Sequence, residues 1–341
     1  MSWPEALIGK LIDSLDADHT IVVAHHHHDQ VHDALRRAEV AIIGGNADER
    51  FVRAPHLHWL HIDHAGIDRF APPELLANRT VTTSAGRNSE AIAEEAFYLL
   101  HAVARRSRSI ERHRRWHVWT DDGDALRPLR GRRALLVGGG SIATCIAERA
   151  AAFEMPVTVV RRRDESPTPA ASRVVASPDR DEFIALCAEH DVLILAAPLT
   201  DATHRMIGAA ELAALGADGI LVNVSRGGLV DQRALLAALR RRAVGGAGLA
   251  VAEPEPLPPW SPLWHAPNTV ITPHAAARGD DRDERSYHIV EHVWSQLRLG
   301  RPVDRALTQA DAYTHRARRH GLDRSVGVVW RRTFRRLARI H

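Results

Sequence analysis

Lysine is nearly missing from this chain. Lys10 is its one copy, so 44 of the 45 Lys and Arg residues are arginine. A P-loop needs lysine beside its glycines, and a Schiff-base enzyme needs one in a pocket. Lys10 lies in an N-terminal amphipathic segment away from any motif, which argues against both classes. Cysteine is almost as scarce. Cys145 and Cys187 both sit in apolar helical patterns and read as buried thiols, not a disulfide, as suits a reducing cytosol. No apolar run approaches the ~18 residues of a membrane span. Met1-Ser2-Trp3-Pro4-Glu5 shows no basic stretch leading into an apolar core, so no signal peptide is expected and the expected location is cytoplasmic. No repeat of fixed period is present.

What is present suits a globular protein of two domains. The 341 residues are 45% hydrophobic, enough for sizeable cores. The net charge of +3 is uneven: residues 304–341 hold ten Arg and three Asp, a net of +7, which leaves −4 for residues 1–303. The main body is mildly acidic, and the basic character belongs to the tail. In that tail Val326, Trp330, Phe334 and Leu337 share one helical face, surrounded by Arg331, Arg332, Arg335, Arg336 and Arg339. It reads as a helix docked on the body or on a second subunit; nucleic acid or an acidic membrane surface is the other reading.

Segments 20–24, 40–45 and 57–63 read as strands, with helical patterns at 33–37 and 73–77 between and after them. A long helix is expected over 91–106, acidic early and basic late as the helix dipole favours, and able to cross between domains. Residues 120–124 read as a polar loop. From Gly131 onward strands at 134–137, 157–160, 191–196, 219–224, 248–252 and 270–272 alternate with helices at 144–153, 181–189, 209–215 and 231–241. That alternation predicts an α/β fold with doubly wound parallel sheets. Val137-Gly138-Gly139-Gly140-Ser141-Ile142-Ala143 joins the first of these strands to a helix. Gly138 can make the tight turn, and Gly140 lets the backbone approach a pyrophosphate at the helix N-terminus, with Ser141 and Ile142 beside it.

Four further segments end strands of the same series: Ala197-Pro198-Leu199-Thr200, Val222 to Asp231 with Ser225-Arg226-Gly227-Gly228, Glu253-Pro254-Glu255-Pro256, and Ile271-Thr272-Pro273-His274. Ligands bind at strand carboxyl ends in such sheets. In this order, over residues 40–303, the chain resembles the D-isomer-specific 2-hydroxyacid dehydrogenases, most of all their glyoxylate/hydroxypyruvate reductase branch. The resemblance implies a Rossmann cofactor domain at 105–285 and a flavodoxin-like substrate domain built from 1–104 with 286–303. It implies Arg226 as the residue that grips the substrate carboxylate and polarises the 2-oxo group. His274 would be the proton donor, and Glu255 the carboxylate that orients it. Pro198, Thr203 and Ser225 would lie along the cofactor. Hydride addition to a ketone creates an alkoxide, so an acid is needed near neutral pH, and histidine suits that task. Arginine offers the planar fork that matches a carboxylate. His61 to Asp68 resembles the substrate loop, whose backbone N–H groups at Ala65, Gly66 and Ile67 would hold the carboxylate. Arg87, in Ser84 to Ser89, could bind an anionic substrate.

At the end of the second strand an NAD site carries an acidic residue for the adenosine ribose. Arg161 fills that position, followed by Arg162 and Arg163, which suits the 2′-phosphate of NADP. NAD remains the alternative if Asp164 or Glu165 reaches the ribose. The family usually has aspartate five residues before the catalytic glutamate, where it helps hold the nicotinamide amide; this chain has Ala250. Losing one such hydrogen bond costs about 0.5–3 kcal/mol. Ala250 and the basic tail therefore favour a competing class, a cofactor-binding regulatory protein of corepressor type, which the intact Arg226, Glu255 and His274 disfavour. The resemblance also implies a homodimer acting on a small 2-oxo or 2-hydroxy acid, with no metal. His25-His26-His27-His28 reads as a polar loop, without the Cys or carboxylate company of a metal site.

Overall fold

The computed structural model describes residues 5–14, 28–44, 47–64, 73–119, 126–162, 166–278, 281–303 and 306–308. The expected strand at 20–24, His25 to His27, the loop at 120–124, Arg163 to Glu165, Ala65 to Ile67 and the basic tail beyond 308 lie outside them.

The N-terminal part runs α1 (Glu5–Ser14), α2 (His28–Leu35), β1 (Val40–Ile43), α3 (Glu49–Arg53), β2 (Trp59–Ile62), α4 (Pro73–Ala77) and β3 (Thr80–Thr83). The three strands form a parallel sheet in the order β1-β2-β3, with Trp59 opposite Val40 on one side and Thr80 on the other. The central strand is buried throughout, and its side chains divide with period two. Leu60 and Ile62 join Phe51, Leu57, Leu75 and Val81 in one core. Trp59 points the other way, into a second core with Leu11, Tyr287, Val290 and Val293. β3 escaped the sequence reading because three of its four residues, Thr80, Thr82 and Thr83, are polar; Thr82 is nevertheless fully buried.

The rest of the chain runs α5 (Ser89–Ala104), α6 (Ser107–Arg115), β4 (Ala134–Val137), α7 (Ser141–Ala152), β5 (Val157–Arg161), β6 (Arg173–Ala176), α8 (Arg180–Glu189), β7 (Val192–Leu195), α9 (Ala209–Leu215), β8 (Ile220–Asn223), α10 (Gln232–Arg240), β9 (Gly246–Leu249), β10 (Thr269–Ile271) and α11 (Arg282–Arg298). Its strands form one seven-stranded sheet in the order β10-β9-β8-β7-β4-β5-β6, and every pairing is parallel. The α/β fold with parallel sheets is thus as expected. β4, β7 and β8 are buried on both faces, which is why they read as unbroken apolar runs. Leu136, Ile194 and Val222 face one layer of helices, and Leu135, Leu193 and Leu221 face the other. Each such leucine contributes about 1.5–3 kcal/mol by leaving water.

Three local differences from the sequence reading have plain causes. β6 is an edge strand with Arg173 exposed, so it carries little apolar signal. α6 has no buried face: Ser107 to Arg115 is almost all polar, with Ile110 exposed. β9 starts at Gly246, two residues before the expected start, because a glycine-rich stretch does not look like a strand.

Those glycines are required by packing. α5 lies directly on β9, and a Cβ on Gly248 would stand 2.7 Å from Leu99 Cβ; one on Gly246 would stand 2.5 Å from Val103 Cγ1. Ile92, Ala96, Leu99, Leu100 and Val103 of α5 share the core formed by β4, β5 and α7. α5 therefore begins at the carboxyl end of the small sheet and is seated on the large one. Gly248→Val should force this contact apart, at a cost of about 1–3 kcal/mol, and lower the thermal midpoint by several degrees in a calorimetric scan. An unchanged midpoint would show that the close approach is not needed.

Candidate active site

The order of the large sheet reverses at β4 and β7, the place where α/β sheets bind ligands beyond their carboxyl ends. The glycine loop leaves β4 there. Gly138 donates its N–H to Val160 O at 2.8 Å and has φ +124; a Cβ on it would meet Ala196 O at 2.7 Å. Gly140 is the N-cap of α7, with no side-chain cap and nothing within 4 Å of where a Cβ would stand. The first turn of α7 thus presents its N–H groups to open space, a cradle suited to a pyrophosphate. Ser141 is exposed beside it and hydrogen-bonds Ser89 Oγ at 2.8 Å, while Ile142 is half-buried against the core. Arg161 is the last residue of β5. Its side chain lies along the loop, with Cβ and Nε both 3.0 Å from where a Gly139 Cβ would stand, and it donates to Ser166 O at 3.3 Å. Arg162 follows, its carbonyl held by Ser177 Oγ at 2.5 Å.

The opposite wall comes from β7 and β8. Pro198 is exposed at the mouth. Thr203 Oγ1 donates to Pro198 O at 2.8 Å and accepts from Thr200 N at 2.7 Å. Ser225 Oγ donates to Ala197 O, and Ser225 N to Asn223 Oδ1 at 3.1 Å. The hydroxyls expected along the cofactor are therefore engaged in shaping the two loops, and Asn223, which sequence reasoning passed over, clamps the second.

Three segments converge beyond β8, β9 and β10. Arg226 is extended, at φ −138 and ψ 140; its carbonyl accepts from Asn223 Nδ2 at 2.9 Å, and its Nη1 donates to Ser225 O at 2.9 Å. The next residue must be glycine, since a Cβ on Gly227 would stand 2.1 Å from Ala252 C. That contact lays the arginine loop against the segment carrying Glu255. Glu255 Oε1 accepts Ala252 N–H at 3.0 Å, and Oε2 accepts from His274 Nδ1 at 2.7 Å. The carboxylate can only accept, so Nδ1 carries the proton and Nε2 is left to exchange one. His274 is placed by its own N–H, which bonds Ala250 O at 2.9 Å and Thr272 O at 3.1 Å, and it takes the left-handed conformation at φ +50. Its side chain stays 44% exposed, within reach of a ligand. Burial pushes Glu255 up, but the His274 hydrogen bond, the Ala252 N–H and the Arg226 charge together hold it below its ordinary value.

The structure thus brings Arg226, Glu255 and His274 to the carboxyl edge of the sheet, the edge that also carries the glycine loop and Arg161. It does not bring Arg87 there as a free cation. Arg87 is 6% exposed and paired with Asp63. Ala65, Gly66 and Ile67 lie outside the described residues. Ala250 is fully buried, and its carbonyl takes part in placing His274.

A parallel sheet of this order, with an uncapped glycine loop at its switch point, defines a dinucleotide-binding α/β protein. The D-isomer specific 2-hydroxyacid dehydrogenase NAD binding domain matches residues 97–276, and the chain belongs to that family of oxidoreductases. It is 36% identical over 217 residues to a glyoxylate reductase of Korarchaeum cryptofilum, a match spanning 62% of this chain and 63% of that one. It is 32% identical over 247 residues to a glyoxylate/hydroxypyruvate reductase of Arabidopsis thaliana, spanning 70% and 73%. Among solved structures, a D-isomer specific 2-hydroxyacid dehydrogenase of Xanthobacter autotrophicus, in complex with NADPH and MES, has the same fold. It superposes with a TM-score of 0.74 at 24% identity, covering 91% of this chain and 96% of that one.

The depressed Glu255 value has a pH consequence. Unfolded, this carboxyl takes up its proton near 4.5; folded, it does so only at lower pH. Its contribution to stability is therefore complete above pH 4.5 and is lost as pH falls through the folded value. In urea titrations the advantage of wild type over Glu255→Gln should be present at neutral pH and shrink on acidification below 4.5. A difference independent of pH would contradict this.

Proposed function

We propose that the protein catalyses NADPH-dependent reduction of a small 2-oxo acid of the glyoxylate or hydroxypyruvate type to the D-2-hydroxy acid (achiral glycolate from glyoxylate). The observation that carries this is the 2.7 Å contact between Glu255 and His274, set at the same carboxyl edge of the parallel sheet as Arg226 and the glycine loop. The relatives named for glyoxylate and hydroxypyruvate reduction support the substrate class.

NADPH, when bound, supplies the hydride. The N–H groups at Gly140, Ser141 and Ile142 suit its pyrophosphate, and Arg161, with Arg162 beside it, suits the 2′-phosphate. Arg226 binds the substrate carboxylate and polarises the 2-oxo group, and backbone N–H groups of Ala65, Gly66 and Ile67 complete the carboxylate site. As charge develops on the carbonyl oxygen, His274 Nε2 delivers a proton to it. Glu255 holds the ring through Nδ1 and stabilises the imidazolium before that transfer. Positioning and proton delivery do not require the side chain that Ala250 lacks.

For this chemistry we infer a cofactor unit at 105–285 and a substrate unit at 1–104 with 286–303, with α5 packed into the core of the large sheet. A homodimer is the assembly we infer. Ile110, Trp116, Val118 and Trp119 all stand exposed on or just after α6, an apolar surface of the kind that a second copy covers. Two free, buried thiols suit the cytoplasm.

Absorbance at 340 nm with NADPH or NADH and a panel of 2-oxo acids tests the reading. Cofactor binding without turnover on any acid would refute it in favour of a regulatory protein. His274→Ala should lower turnover by about 10²–10⁴-fold while leaving NADPH binding intact; full activity would remove His274 from its role. Arg161→Asp should shift preference toward NADH, measured as the ratio of kcat/KM for the two cofactors. An unchanged ratio would place the selector elsewhere.

A further inference from the structure

The chain passes between its two sheets twice. It leaves the small sheet through residues 84–88 into α5, and it returns from the large sheet through residues 272–281 into α11. Arg87 sits on the first crossing. Its Nη1 donates to Asp63 Oδ1, just past the end of β2, and to Ser286 Oγ, at 2.8 Å, in the first turns of α11 after the second crossing. One nitrogen thus ties both crossings to the end of the central strand of the small sheet.

The knot is buried and continuous with a polar chain behind it. Arg87 and Asp63 have 5% and 7% of their side chains exposed, and Ser84 and Ser286 have none. Ser84 Oγ donates to the same Asp63 oxygen at 2.7 Å and so must accept from His61 Nε2 at 3.0 Å. Trp59 Nε1 donates to Thr82 Oγ1 at 2.9 Å, whose own hydrogen then goes to His61 Nδ1 at 2.9 Å. Every donor in this line points toward Asp63, so the carboxylate is fixed from two sides. Arg87 Nε, by contrast, is buried without a partner. An ion pair with an orphaned donor is a poor way to gain stability, because apolar residues of the same volume would pack as well or better. What it supplies is registry: one arrangement of three segments.

Asp63 stands two residues before Ala65-Gly66-Ile67. We propose that Arg87 is a positioning residue for substrate binding, holding Asp63, at the carboxyl end of β2, in register with both inter-sheet crossings. This rests on the function proposed above. Arg87 does not bind the substrate itself, since its charge is already met by Asp63. It acts by fixing Asp63 and the end of β2 against the two segments that lead to and from the sheet carrying Arg226 and His274. A loosened knot frees the carboxyl end of β2 and so weakens substrate binding, while the cofactor cradle, which hangs on β4 and α7, stays in place.

The test uses the full-length chain, with steady-state kinetics on glyoxylate and hydroxypyruvate, NADPH affinity by fluorescence titration, and thermal midpoints. Turnover by wild type decides the underlying function and is read first; its absence would remove the substrate loop and this proposal with it. Given turnover, Ser286→Ala removes one arm of the knot without stranding a charge. It should raise KM for the 2-oxo acid about 5- to 20-fold with kcat, NADPH affinity and midpoint near wild type. Ser286→Thr, which keeps the hydroxyl, should restore KM to within about twofold. Arg87→Lys keeps the charge but not the fork and should raise KM in the same way. An unchanged KM in both Ser286→Ala and Arg87→Lys would overturn the proposal. So would a loss of kcat or of NADPH affinity with KM unchanged.

Discussion

The site depends on backbones meeting where no Cβ can stand. Gly138 turns against Ala196, Gly227 lies against Ala252, and Gly248 receives Leu99. Each contact joins segments that are distant in sequence, and each closes a different part of the molecule. The first brings the end of β4 beside the end of β7 and so forms the cradle. The second lays Arg226 against the segment bearing Glu255. The third seats α5, and with it the path from the small sheet, on the large one. A methyl group at any of the three would have to displace main chain or a helix, not a flexible side-chain tip.

Each of the three site residues is held by hydrogen bonds that involve the main chain. His274 is aimed by its own N–H on Ala250 and Thr272, Glu255 is steadied by the Ala252 N–H, and Arg226 is framed by Asn223. Consequently alanine at position 250 leaves the Glu255–His274 pair in place: its carbonyl does the placing. The polar line from Trp59 to Arg87 performs a comparable service on the small sheet, where a one-way run of donors fixes Asp63.

Much of the large sheet was legible because its central strands are buried on both faces, and an unbroken apolar run of four residues between turn signals leaves few other readings. The carboxyl-edge segments were legible for the same reason: they follow such strands directly. β3 and β6 were not, since threonine and an exposed edge each weaken the apolar signal, and glycine hid the first two residues of β9. α6 was missed because eight of its nine residues are polar, which leaves no apolar face to mark a packed helix.

By itself, then, the sequence determined the alternation of strands and helices, the glycine loop, the arginine at the end of β5 and the order of Arg226, Glu255 and His274. These are local: each is a residue type at the end of a recognisable run. Only the tertiary structure decided what those residues do next to one another. It turned Thr203 and Ser225 inward to brace their loops, and it buried Arg87 against Asp63 instead of offering it to a ligand. It also made Gly246 and Gly248 the floor for α5. Such outcomes depend on which atom of a distant segment comes within hydrogen-bonding or contact distance, and spacing along one chain carries no record of that.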